Sequence, residues 1–129
     1  MPTEEFVLVL IKPDAKERGL VSEIFDGLKA EGLCVEVIGA IQFDLQLVLE
    51  FYEWEKLDYP EEIRQYVCVD PLPIWIVSGD GAIEKTMSIK VLLRTKYYNG
   101  PLKNLFHCPC SQQESQRQYE LIYPKRRVL

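Results

Sequence analysis

His107 is the only histidine in the chain, and its setting offers chemistry that an ordinary packed or surface imidazole lacks. Asn104 lies three residues before it, and Ser111-Gln112-Gln113-Glu114 begins four residues after it. That second segment has the S-x-x-E form of a capping box and predicts a helix start. A helix opening there presents unpaired N–H groups and positive dipole, which favour a phosphate near the ring. Imidazole titrates near neutrality, so one ring nitrogen can supply a nucleophilic lone pair while a hydrogen bond holds the other. Metal ligation by His107-Cys108-Pro109-Cys110 is the weaker alternative. Its three soft ligands are crowded and lack the spaced partner pair of a structural zinc site.

Charge points toward an anion as well. No Asp or Glu occurs from Lys85 to Gln113, while Lys85, Lys90, Arg94, Lys96 and Lys103 all fall in that stretch. A single-sign stretch of this kind suits a polyanionic ligand, the plain alternative being a solvated lysine-rich face. Lys12-Pro13-Asp14 directly follows the apolar run Phe6–Ile11. Pro fixes the backbone there, leaving Lys12 at the carboxyl edge of a strand, either as a solvated loop residue or as a phosphate donor. Residues 1–62 carry 15 acidic against 5 basic side chains and residues 63–129 carry 5 against 10, giving a net charge of −5. An acidic chain is unsuited to general or sequence-specific nucleic-acid binding, which depends on summed positive charge. A small phosphate ligand fits better than a duplex.

The elements that must position these residues are legible in outline. Phe6–Ile11 predicts a strand buried on both faces, followed by a polar loop from Lys12 to Gly19. Val21, Ile24, Phe25 and Leu28 have helical spacing within 20–30, and Gly32 stands at a C-cap. Cys34–Phe43 predicts a second strand. Asp44 caps a helix to about Lys56, and Pro60-Glu61-Glu62 opens another. Leu72–Val77 predicts a third strand, Ala82–Leu93 a helix, Leu105-Phe106 a short strand and 111–122 a last helix; the tail 123–129 is left unstructured or packed on a neighbour. The order β-α-β-α-α-β-α-β-α gives an α+β fold: a ferredoxin-like split βαβ, with a four-stranded antiparallel sheet, helices mainly on one face and extra helices inserted. At 129 residues and 15.0 kDa the chain predicts one domain, residues 1–129. With 47% hydrophobic and 27% charged residues it is not a disordered tail. The six-residue apolar run is far short of the ~20 residues of a membrane helix, and Met-Pro-Thr-Glu-Glu has no basic signal region. Cys34, Cys68, Cys108 and Cys110 show no paired CxxC spacing and are expected as reduced thiols in a cytoplasmic protein.

Two segments carry a family resemblance. Phe6-Val7-Leu8-Val9-Leu10-Ile11-Lys12-Pro13-Asp14-Ala15, followed by Arg18-Gly19-Leu20-Val21-Ser22-Glu23-Ile24, resembles the opening of nucleoside diphosphate kinases. Arg94, Asn104-Leu105-Phe106-His107 and Ser111 are similar to that family's catalytic segment, and Tyr52 also matches. The resemblance covers almost the whole chain and implies a ping-pong phosphotransferase acting on nucleoside di- and triphosphates. By position, His107 would be the nucleophile and phosphocarrier. Lys12, supported by Tyr52, would neutralise the phosphate in transfer; Arg94 would bind the outer phosphates and Asn104 the sugar hydroxyl. Tyr59, one residue off the family position, is the platform candidate for the base. Mg²⁺ would be carried by the nucleotide phosphates, with no protein ligand assigned.

The departures define a second expectation. Cys108, Pro109 and Cys110 stand where the family has Gly, Ser and Asp, which removes a serine hydroxyl. Gln118 replaces a ring-orienting carboxylate eleven residues past the histidine. Ser88 aligns with a phosphate-binding arginine; Lys90 lies nearby, but about 200° round a helix from it. The loop before Arg94 is about a dozen residues shorter than usual and takes a threonine with it, by the same resemblance. A catalytically impaired nucleotide-binding or regulatory module that keeps the fold is therefore the alternative to a working kinase, and an interaction domain without nucleotide is a third. Loss of that loop, with Val21, Phe25 and the strand Cys34–Phe43 left as contact surfaces, predicts a homo-oligomer smaller than a hexamer, a dimer or tetramer.

Overall fold

A computed structural model describes residues 5–52, 60–98 and 105–122 of the chain. In chain order the elements are β1 (Phe6–Ile11), α1 (Pro13–Glu17), α2 (Val21–Ala30), β2 (Cys34–Ile41), α3 (Leu45–Tyr52), α4 (Pro60–Val67), β3 (Leu72–Ser78), α5 (Ala82–Lys96), β4 (Phe106–His107) and α6 (Gln112–Ile122). The sheet runs β2-β3-β1-β4, with every neighbouring pair antiparallel. This is the split βαβ arrangement expected from the element order.

The unbroken apolar run of β1 has a direct cause: both of its faces are covered. Val7, Val9 and Ile11 face a core with Ile24 and Leu28 of α2 and Ala82, Ile89 and Leu93 of α5. Phe6, Leu8 and Leu10 face the other core, with Leu47, Val48 and Phe51 of α3, Val67 of α4 and Ile122 of α6. The expectation put helices mainly on one face; α2 and α5 occupy that face, and the inserted helices with α6 cover the second. Period-2 alternation then separates two cores rather than core from solvent.

Four differences from the sequence expectation have a local reason. The loop after β1 holds α1, because Pro13 at the first helical position has the required φ and no N–H to lose. β2 stops at Ile41, and its register shifts between Val37 and Gly39, where Gly39 has φ 137°. α5 runs past Leu93 to Lys96 without a loop, so Arg94 belongs to its last turn. β4 is Phe106–His107, one residue later than Leu105-Phe106, because Leu105 has φ 78° and cannot extend the strand. The predicted caps are present: the Asp44 carboxylate accepts the Leu47 N–H at 2.8 Å, and the Ser111 hydroxyl accepts that of Glu114 at 3.1 Å. The end of the helix predicted to about Lys56 and the tail 123–129 lie outside the described residues.

Candidate functional site

The site forms where β1 ends and β4 lies beside it. Leu10 pairs with His107 and Ile11 with Phe106, and the Lys12 N–H donates to the Leu105 carbonyl at 2.9 Å. Lys12 therefore leaves the sheet next to His107 although 95 positions separate them in the sequence. From the last turn of α5, the Arg94 guanidinium donates to the Phe106 carbonyl at 2.6 Å, holding the same short strand from the other side. α3 supplies Phe51 and Tyr52, whose rings lie 5.3 and 5.2 Å from the imidazole centroid. α6 supplies Gln118, whose side-chain amide nitrogen lies 3.2 Å from Nε2 of His107.

Electrostatics follow from this packing. Burial, followed by the charge of Lys12, presses the His107 pKa down to about 3, with Lys90 and Arg94 adding to the effect. The ring is thus neutral at physiological pH, the state in which a nitrogen lone pair is available. Burial, then Arg94, lowers Lys12 to about 7. The Tyr52 hydroxyl is buried with no hydrogen-bond partner among the described residues. Burial pushes its pKa up, so it remains a donor. An unpartnered buried donor beside clustered cations and a neutral imidazole is chemistry suited to a phosphoryl group.

Lys90 is the side chain that the alignment with Ser88 obscured. Ser88 is exposed and lines an open, mainly apolar groove with Ile83, Met87, Val91 and Leu92. Lys90 precedes Arg94 by four residues, one helical turn on the same face, and its charge acts on Lys12, His107 and Cys108. The 90/94 spacing was the available signal. Pro109 is buried and brings no hydroxyl to the site. Cys108 is also buried, its thiol pushed up by desolvation and directed at the Met87 sulfur 3.9 Å away, whereas Cys110 is exposed. Tyr59 and Asn104 lie outside the described residues.

Asp14 and Tyr66 fix the approach to the site. Asp14, only 2% exposed, accepts the Leu105 N–H on Oδ2 at 3.1 Å and the Tyr66 hydroxyl on Oδ1. The Asp14 N–H in turn donates to the Tyr66 oxygen at 2.6 Å. Leu105 is thereby held at positive φ by bonds to both its N–H and its carbonyl. Tyr66→Phe strips one partner from a buried carboxylate and from a backbone N–H. It should cost about 1–3 kcal/mol of stability, read as a lower denaturant midpoint at unchanged m-value. An unchanged midpoint means that the clamp does not stabilise the fold.

The comparisons with known proteins follow the same outline. The nucleoside diphosphate kinase family model matches residues 5–128. A nucleoside diphosphate kinase of Clostridium perfringens is 26% identical, the match covering 92% of this chain and 90% of that protein. One from Saccharolobus islandicus is 23% identical over 91% and 93%. Among solved structures, the Aquifex aeolicus enzyme superposes with a TM-score of 0.78 at 20% identity, covering 97% of this chain and 99% of that one. The Halobacterium salinarum enzyme, solved in complex with CDP, gives 0.78 at 23% identity over 95% and 89%. With a family model spanning nearly every residue and the same fold in those structures, the chain belongs to the nucleoside diphosphate kinase family.

Proposed function

We propose that the protein is a nucleoside diphosphate kinase that passes the γ-phosphate of a nucleoside triphosphate to a nucleoside diphosphate through a phosphohistidine at His107. The observation that carries this reading is the neutral imidazole of His107 set among Lys12, Arg94 and Lys90 beside the Tyr52 hydroxyl, which is buried with no hydrogen-bond partner among the described residues. In the first half-reaction a ring lone pair attacks the γ-phosphorus, the bond to the β-phosphate oxygen breaks, and the diphosphate leaves. The second half-reaction reverses these events with another diphosphate. Lys12 and Arg94 neutralise the transferring and outer phosphates, and Tyr52 donates to a phosphate oxygen. Positioning and charge neutralisation account for most of the rate in such chemistry. Asn104 is assigned the sugar hydroxyl and Tyr59 the base, both on the resemblance alone.

Among the described residues no three His, Cys, Asp or Glu side chains converge to hold a metal. The side chains gathered round His107, namely Lys12, Lys90, Arg94 and Tyr52, are cationic or neutral, which fits a divalent ion, Mg²⁺, ligated by the nucleotide's phosphates. Bound there, it would supply charge neutralisation between phosphate oxygens. No helix among the described residues is long and apolar enough to cross a membrane. The four free cysteines support a reducing, cytoplasmic setting, and the extent of the family match supports reading residues 1–129 as one domain. A regulatory nucleotide-binding module is the second reading, favoured by Gln118 where the family has a carboxylate. Incubation with γ-labelled ATP separates the two: an acid-labile, base-stable label that chases onto an added diphosphate supports the kinase, and bound nucleotide without label supports the module.

The oligomer is assigned as a dimer or tetramer. β2 is a sheet edge, paired only with β3 among the described residues, and its Val37 is 60% exposed; such an edge favours two-fold pairing. Light scattering should give two or four times the 15.0 kDa chain mass. A single-chain or six-chain mass overturns the assignment.

A further inference from the structure

The contact between Gln118 and His107 has a direction. The amide nitrogen of Gln118 faces Nε2 of His107 at 3.2 Å, and an amide nitrogen only donates, so this contact calls for the neutral tautomer that carries its proton on Nδ1. Amide orientation is assigned from the surrounding hydrogen bonds, and here Glu114 decides it. One turn earlier on α6, its Oε1 lies 3.4 Å from the same Gln118 nitrogen. That carboxylate oxygen also accepts from Arg117 Nε at 2.9 Å and Nη2 at 2.5 Å, which holds it in place. Turning the amide over would set its oxygen against an anion. The cost of the observed orientation is visible: Gln118 is 2% exposed, and its Oε1 is buried without a partner among the described residues.

We propose that Glu114 is a positioning residue that uses the Gln118 amide as a latch, holding His107 in the tautomer whose proton lies on Nδ1. The kinetic consequence rests on the phosphocarrier reading above. Nε2 is occupied by Gln118, so Nδ1 is the nitrogen open to a phosphate, and a protonated Nδ1 has no lone pair to attack with. Phosphoryl transfer then waits on rotation of the amide. Its oxygen accepts an Nε2–H, the Nδ1 proton passes to solvent as Nε2 gains one, and the freed Nδ1 pair forms the N–P bond while the bond to the β-phosphate oxygen breaks. The proton remaining on Nε2 stays in its bond to Gln118. In this chain the missing ring-orienting carboxylate is not simply weakened to an amide; the amide is turned the wrong way by a neighbouring anion.

A single histidine makes the test direct. Long-range ¹H–¹⁵N spectra of the full chain at pH 7 should show Nδ1 as the protonated nitrogen and Nε2 as the bare one. Gln118→Glu offers only acceptors and should reverse the pattern, raising kcat with little change in nucleotide affinity. Glu114→Met removes the anion while Arg117 keeps its bonds to the Glu50 and Phe51 carbonyls. It should shift the tautomer toward Nε2–H and raise kcat roughly fivefold, the scale of one modest hydrogen bond. A wild-type ring already protonated on Nε2, or a tautomer unmoved in Glu114→Met with circular dichroism intact, overturns the latch. Tautomers that switch as expected while no variant takes up label from γ-labelled ATP overturn the phosphocarrier reading and the kinetic half of the proposal, and leave the latch standing.

Discussion

Replacing His107 by alanine is expected to abolish acid-labile labelling by γ-labelled ATP and to reduce phosphotransfer by roughly 10³-fold or more, the scale of losing a covalent nucleophile. The fold should survive. His107 is one of two residues in β4, and the positions of that strand are held from outside it, by Arg94 on the Phe106 carbonyl and by Lys12 and Asp14 on the Leu105 backbone. Acid stability supplies a second readout from the same variant. The folded pKa near 3 lies below the unfolded value of 6.5, so between those limits the unfolded chain binds more protons. Wild-type stability therefore falls as pH drops through that window, and His107→Ala should lose part of that slope. Full labelling of His107→Ala would mean that another residue carries the phosphoryl group.

Lys12→Met should have nearly as large an effect on catalysis and the opposite effect on stability. Loss of a preorganised cation facing the transferring phosphate costs about 10²–10³-fold in kcat/KM. In the folded protein Lys12 titrates near 7, displaced from 10.5 first by burial and then by Arg94. Between those values the unfolded chain holds the extra proton, so wild-type stability rises with pH across the window, and below about 7 the cost of burying the cation is complete. Lys12→Met should flatten that rise, read as Tm against pH for the two proteins between pH 7 and 9. In the wild type kcat/KM, which reports the free enzyme, should decline above pH 7 as the ammonium is lost. Equal slopes of Tm against pH in the two proteins would mean that the lysine is solvated rather than desolvated beside Arg94.

Side chains that oppose function and stability in this way are common where charge is gathered for catalysis. Lys12, Lys90 and Arg94 repel one another in the absence of ligand, and each lowers the His107 pKa. A polyphosphate relieves that repulsion. Binding should therefore stabilise the fold by more than its contacts alone would give, because the like charges it neutralises are already assembled.

The parts of this protein that the sequence determined by itself are those written in short-range patterns. Six consecutive apolar residues require a strand with two covered faces, and Phe6–Ile11 is one. Asp44 and Ser111 announce helix starts because capping acts within three residues. The expectation of phosphate chemistry at His107, Lys12 and Arg94 is likewise read from residue type and from spacings carried by two motifs. What only the tertiary structure decided are the relations across long stretches of chain. Tyr66 closes on Asp14 from 52 residues away, and Asp14 on Leu105 from 91; nothing in local periodicity marks either pair. α1 arose within a segment whose Pro and Gly punctuation suggests a loop, because one turn started by Pro13 satisfies the backbone between β1 and α2. Lys90 rather than position 88 faces the site because the uninterrupted helix α5 fixes which face turns inward. The proton on His107 is the finest such case. Gln118 is an amide in any reading of the sequence, but which end of it meets the imidazole depends on a carboxylate one turn away and on the arginine that holds that carboxylate in place.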